Sequence, residues 1–380
     1  MRFLFAVPRR APVMFGLLLA LGVVAQGCSN NAPASSASDT KPVLASLTTV
    51  VILPTLRATD ASAKAMRVAV KALEDAPSAA TLGAAQTSWR AARRSWSRGE
   101  AFRFGPVKEM GIADAIDYRP ARPVTIEKVV TGTDPLTASS IELLGSNARG
   151  FRGLEYVLFD SVAGDTAVLA KLTTDASAKR RLAYASAVTE HLAGKIAELL
   201  AAWEPSGGNF ARELTEAGSG AVLFPSAKSA IDQIVNSTAF ALDLVTGTKL
   251  GRPYGTKSGG VAAPDQEESP LSDNSLADML DTLDGARAVY AGTYEAAPGR
   301  GLAELVRAKN PALDERMSSA FDTSKGTIAA IPPPFRTAIT TQRPAVETAY
   351  QASRMLKNSM SAEVVQVLGT ALQYNDNDGD

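Results

Sequence analysis

From Leu182 onward, apolar side chains recur at steps of three and four: Leu182, Ala185, Val188, Leu192, Ile196, Leu199 and Trp203 form one stripe. That period demands an α-helix with one buried face, and it predicts a helix over about 177–203. Asp175 or Ser177 is placed to cap its start, and Pro205-Ser206-Gly207-Gly208 to stop it. Alanine and leucine dominate the rest of the chain and β-branched alternation is scarce, so helices are expected throughout. Leu82, Ala85, Trp89, Ala92 and Trp96 mark a second helix over about 79–102, and a third covers about 41–73, bent at Pro54. Later helices are expected near 226–246, 275–290, 310–331 and 343–372. Prolines and threonines make 119–135 an expected irregular excursion, and 247–270, which lacks a helical period, an expected long connection.

A break around 205–224 divides the chain into halves of similar helical content, without a residue-level repeat. Antiparallel helices joined by loops pack as bundles, so the expected fold class is all-α, with one bundle in 42–206 and another in 207–380. The 39 acidic and 39 basic residues balance, which gives no case for a nucleic-acid partner. A single cysteine excludes an internal disulfide.

The first residues read differently. Arg2, Arg9 and Arg10 precede an apolar run over 13–25, shorter than the ~20 residues of a membrane-spanning helix. Basic start, short apolar core and small residues before a cut describe an export signal, expected over 1–27. Ala25-Gln26-Gly27-Cys28 resembles the bacterial lipoprotein cleavage box, and a lipidated Cys28 would tether the chain to a membrane. The alternative is an ordinary secretory peptide and a free thiol in an oxidising compartment. Ser29 agrees with sorting to the outer membrane. Small polar residues over 28–41 predict a flexible tether.

Four segments carry a resemblance. Gly150-Phe151-Arg152-Gly153-Leu154-Glu155 resembles the Gly-x-His-x-x-Glu signature of the imelysin-like proteins, a bacterial envelope family, with Arg152 in the histidine position. Trp89 through Trp96 followed by Glu100-Ala101-Phe102-Arg103-Phe104-Gly105-Pro106 is similar to that family's first helix-end motif. Ile116-Asp117-Tyr118-Arg119-Pro120 resembles its Ile-Asp-x-x-Pro turn, and the stretch from Glu268-Ser269 through Asp278 to Gly292, with the chain's last residues, resembles its closing motifs. The resemblance implies two helical bundles packed face to face, with the first and third motifs meeting near their interface. It also implies one of two roles, a metallopeptidase or an iron-regulated, metal- or ligand-binding envelope protein.

The residues narrow that choice. A guanidinium stays protonated and offers only donors, so Arg152 cannot ligate a metal as an imidazole does. With 153 onward helical, Arg152 and Glu155 lie three apart on one face, close enough to pair. That pair either replaces a metal and presents donors to an anion or simply fixes the loop to the helix. One histidine, His191, excludes a two-histidine zinc site and leaves a Ser-His-acid triad without a Gly-x-Ser-x-Gly elbow. His191 reads as a boundary residue of its helix. Carboxylates remain: Glu100, Asp117 and Glu155 come from the matched motifs, with Arg103 and Arg152 beside them, and these five are the candidate ligand-binding residues. An all-oxygen set would suit iron or another hard cation, although the two arginines oppose it. Glu100 could equally end an exposed helix and pair with Arg103 or Arg98.

Other signals are weak. Asp376-Asn377-Asp378-Gly379 falls short of a calcium loop, Gly251–Ser258 falls short of a phosphate loop, and Trp89 and Trp96 read as core anchors. The expected function is a non-catalytic ligand- or metal-binding protein, lipid-anchored on the periplasmic side and associated with envelope iron-uptake components. The alternatives are a metal-dependent peptidase with a non-histidine site and a scaffold for another envelope protein.

Overall fold

The computed structural model describes residues 37–371; the expected signal peptide, Cys28 and the terminal 372–380 segment lie outside them. Among the described residues the elements are helical, and an isolated β-bridge joins Tyr294 to Ala297. Eight helices carry the architecture: α1 Leu53–Asp75, α2 Ala79–Arg98, α3 Gly150–Leu158, α4 Ala178–Trp203, α5 Ala227–Asp243, α6 Ser275–Ala291, α7 Pro311–Ala329 and α8 Arg343–Asn358. α1 packs against both α2 and α4, with α3 laid against α4. α5 through α8 form a second group, α7 against α8 and α6 between α5 and α7. The groups join where α2 packs on α6, and one apolar core runs through both.

The stripe on α4 packs as its period requires: Leu182, Ala185, Val188, Leu192, Ile196, Leu199 and Trp203 are all buried. Of its two expected caps, Ser177 turns its hydroxyl to Asp175 instead of the helix, while the Asp175 carboxylate accepts from the Ser177 backbone N–H at 2.7 Å. α2 and α5 begin in capping boxes, Ser78 with Thr81 and Ser226 with Ser229. Trp89 and Trp96 are both buried, Trp89 meeting the rings of Phe151 and Phe159 edge-on.

Three sequence expectations need correction. The chain is already helical at Ala37, within the stretch expected to be a tether, and stays helical to Asp75. Pro54 has no N–H and crowds the carbonyl four residues earlier. A widened π-helical passage at Leu47–Ile52 lies immediately before it, where the chain meets the proline without leaving the helix. The excursion at 119–135 contains a helix, Pro123–Thr131, for which Pro123 supplies the first turn rather than a break. The expected connection from 247 is also helical at its start, since α5 runs on through π-helical turns over Leu244–Gly251. That last difference matters most, because it places Lys249.

Close approach between the groups depends on one small residue. A Cβ on Gly285 of α6 would lie 2.0 Å from the Arg98 carbonyl oxygen, so only glycine lets α6 seat against the end of α2.

Candidate functional site

The motif glycine explains how the site assembles. Gly150 has φ of 65°, and a Cβ there would stand 2.2 Å from the Ile116 carbonyl oxygen. The first turn of α3 therefore presses directly on the Ile116-Asp117 turn and brings Arg152 to Asp117. The helix starts at Gly150 rather than Gly153, and Arg152 and Glu155 share its inner face as their spacing requires, 3.4 Å apart.

Arg152 is buried and does more than pair with Glu155. Its Nη1 donates to Ser269 Oγ at 2.7 Å, and its Nη2 lies 3.0 Å from Glu268 Oε1 and 3.1 Å from Asp117 Oδ1. From α2, the wholly buried Arg93 reaches the same acids, with Nη1 donating to Asp117 at 2.7 Å and Nη2 to Glu268 at 3.2 Å. Arg93 Nε completes the fork on Asp278 of α6 at 3.3 Å, and the guanidinium lies over the Phe151 ring. From the π-helical turn, Lys249 Nζ lies 2.9 Å from Glu100 Oε2, 2.9 Å from Glu268 Oε2 and 2.9 Å from Thr282 Oγ1. Arg103 closes the edge, 3.2 Å from Glu100 and stacked over Trp96, whose Nε1 donates to Asp117 at 2.8 Å. Glu155 turns its other oxygen to the loop before α6, accepting from Leu271 N, Ser272 N and Ser272 Oγ.

The electrostatics follow from burial and these partners. Burial opposes ionisation of Glu268, yet Lys249, Arg119, Arg93 and Arg152 together hold its carboxyl well below the ordinary value. Asp117 is likewise held down against burial, chiefly by Arg93 and then Arg152 and Arg103. Glu155 moves the other way: burial pushes its carboxyl up more than Arg152 and Ser272 pull it down.

All five candidate residues, Glu100, Arg103, Asp117, Arg152 and Glu155, thus lie in one cluster. Glu100 does not end an exposed helix; it is buried and bonded on two sides. Arg93, Lys249, Glu268 and Asp278 complete the cluster and were not singled out from sequence. Glu268 and Asp278 stood inside a quoted motif, and Arg93 sits on the Trp89–Trp96 face, whereas Lys249 carried no signal at all. His191 is buried on α4, its Nε2 2.8 Å from the Glu142 carboxylate and not among the partners of the cluster.

A metal ion can be tested against this donor set. Glu100, Asp117 and Glu268 can bring one oxygen each within 4.8 Å of one another, a hard-cation pattern among the described residues. The same oxygens are already in contact with Lys249, Arg93 and Arg152, whose charges would repel an entering cation. The residues present do not fit a metal. They form a dense set of ion pairs and charge-assisted hydrogen bonds that ties α2, α3, the π-helical turn and α6 together, although Arg152 Nε and Glu268 Oε2 carry no hydrogen bond of their own.

Comparison with known proteins agrees with this architecture. The sequence profile described as Imelysin matches residues 52–360. The iron-regulated protein A of Synechococcus elongatus is 27% identical over 368 residues, covering 93% of this chain and 96% of its own. Among solved structures, a chain described as an iron-regulated protein A precursor from Parabacteroides distasonis superposes with a TM-score of 0.77 at 23% identity, covering 89% of this chain and 97% of its own. An imelysin-like protein from Psychrobacter arcticum superposes with a TM-score of 0.72 at 16% identity, over 89% of this chain and 98% of its own. With its all-α fold and with most of its length matched, this chain belongs to the imelysin family.

Proposed function

We propose that this protein is a non-catalytic binding protein of the bacterial envelope, exported, held to the outer membrane by a lipidated Cys28 and associated with iron uptake. The observation that carries the non-catalytic part is the internal occupation of the motif site. Arg152 stands where the family signature has histidine, and with Arg93 and Lys249 it fills the space among Asp117, Glu268 and Glu100. Water activation at a metal needs an open coordination position, and here each of those carboxylates already faces a cation of the protein. The iron association draws on the likeness to iron-regulated protein A, and the envelope placement on the export signal.

The competing reading, a metal-dependent peptidase, draws on the grouping of Glu100, Asp117 and Glu268. Purified protein separates the two. Metal content after incubation with iron or zinc, and proteolysis of an unfolded casein substrate before and after chelation, should show no stoichiometric metal and no chelator-sensitive activity. Chelator-sensitive proteolysis would establish the competing reading.

A further inference from the structure

A second feature lies on the outer side of the contact between α2 and α6. Arg93 and Arg94 are consecutive, so they point to different faces of α2: Arg93 enters the buried cluster, while Arg94 and Arg98 line an open cleft of about 370 Å³. That volume lies within the range of small-molecule sites, roughly 300–1,000 Å³. Phe102 and Val51 supply apolar wall, and Arg287, Thr293 and Tyr294 line the rest together with two acids, Asp284 and Glu295. The cleft exists because Gly285 lets α6 come down beside the Arg98 backbone.

Its two central guanidiniums are poorly matched by protein. Arg94 and Arg98 approach the Asp281 carboxylate only to 3.5 and 3.7 Å, and Arg98 approaches Asp284 to 3.6 Å, all longer than a good hydrogen bond. The buried Arg98 Nε has no acceptor. Arg94 keeps most of its side chain exposed, so an oxyanion in the cleft would meet its guanidinium directly. The other charges are already committed: Lys325 of α7 donates to Asp284 at 2.5 Å, and Arg287 pairs with Asp322.

We propose that this cleft binds an organic dianion, whose acidic groups are held by Arg94 and Arg98 and whose apolar body rests on Phe102. The proposal uses residues separate from the buried cluster and does not depend on how that cluster is read. Asp281 stands behind the cleft lining as the counterion that both guanidiniums approach, and the ligand competes with it for them. Burial pushes its carboxyl up to about 7, against Arg98 and Arg94 and with help from Asp278 and Asp284 on its own helix. Asp322 and Lys325 face this side from α7, and Glu295 stands at the exposed rim. Protonating Asp281 removes the one carboxylate that both guanidiniums approach, Arg98 keeping Asp284 at 3.6 Å, so ligand affinity rises as pH falls through neutrality.

Calorimetric titration of the purified protein with benzenedisulfonate, whose charges do not titrate in this range, tests the site. If only the protonated form is competent, the dissociation constant should tighten about tenfold from about pH 8 to about pH 6. Asp281→Asn should bind with the tighter constant at both pH values. Arg94→Gln, at an exposed position outside the core, should weaken binding about tenfold, and Arg98→Ala at least as much. Inorganic sulfate should bind more weakly than benzenedisulfonate; equal affinity would overturn the apolar half of the proposal. Absence of binding to both the native chain and Asp281→Asn at pH 6, or binding unaffected by Arg94→Gln, would overturn it altogether.

Discussion

The Lys249 ammonium lies 2.9 Å from the Glu268 carboxylate, and the two are buried together at the point where the two helix groups meet. Removing an ion from water is unfavourable by several kcal/mol, so a buried pair persists only when its partners are complete. Glu268 is the shared partner of Lys249, Arg93 and Arg152. Glu268→Gln leaves these cations, and Arg119 3.9 Å away, short of charge and should destabilise the fold by about 3–5 kcal/mol. The exposed pair of Arg316 and Glu363 is the contrast, and Glu363→Gln should change stability by less than ~1 kcal/mol. Urea denaturation of both variants checks the difference.

Arg152→His restores the family's signature residue, and from sequence alone it is expected to raise metal affinity. The structure adds a condition. Arg93 and Lys249 still cover Asp117, Glu100 and Glu268 after that exchange. The single variant should therefore gain little, and Arg152→His combined with Lys249→Met should bind zinc measurably. Competition against a chromogenic chelator reads both. Strong binding by the single variant would mean that Lys249 does not guard the site.

The cluster also sets a response to acid. Asp117 and Glu268 titrate below their ordinary range when folded, so each contributes stability above the unfolded carboxylate pKa of about 4. That contribution is lost as pH falls from there through the folded values. Glu155 is raised, so its ionisation opposes folding at neutral pH and its protonation relieves the strain at higher pH than usual. Two depressed groups outweigh one raised group. The urea midpoint should fall steeply between about pH 4 and about pH 2, and more shallowly in Asp117→Asn, whose carboxylate no longer titrates.

Membrane attachment rests on one atom. Cys28→Ser removes the thiol that an acyl chain would occupy, and the variant should move from the membrane to the soluble fraction on cell fractionation. Retention of the variant in membranes would remove the anchor from the account.

Much of the fold was legible because it follows from helical period. The α4 stripe and the Trp89–Trp96 face of α2 bury the residues their spacing selects. The misreadings came where local signals point away from a helix that tertiary packing keeps. Pro123 read as part of a loop, yet a helix start takes it. Gly247, Gly251 and Pro253 likewise concealed the helical extension that carries Lys249. The candidate site was half legible. Motif residues identified Glu100, Arg103, Asp117, Arg152 and Glu155, while Arg93 and Lys249 became visible only as partners in space, since a charge on a helix gives no sign in sequence of which acids it will meet.

The central claim is that the protein's own cations occupy the place of a metal ion among Asp117, Glu268 and Glu100. Zinc and ferric-iron titration of the native protein, with bound metal counted after gel filtration, tests it most directly. The account predicts substoichiometric metal that is the same in the native chain and in Glu268→Gln. One equivalent retained by the native chain and lost in Glu268→Gln would contradict it.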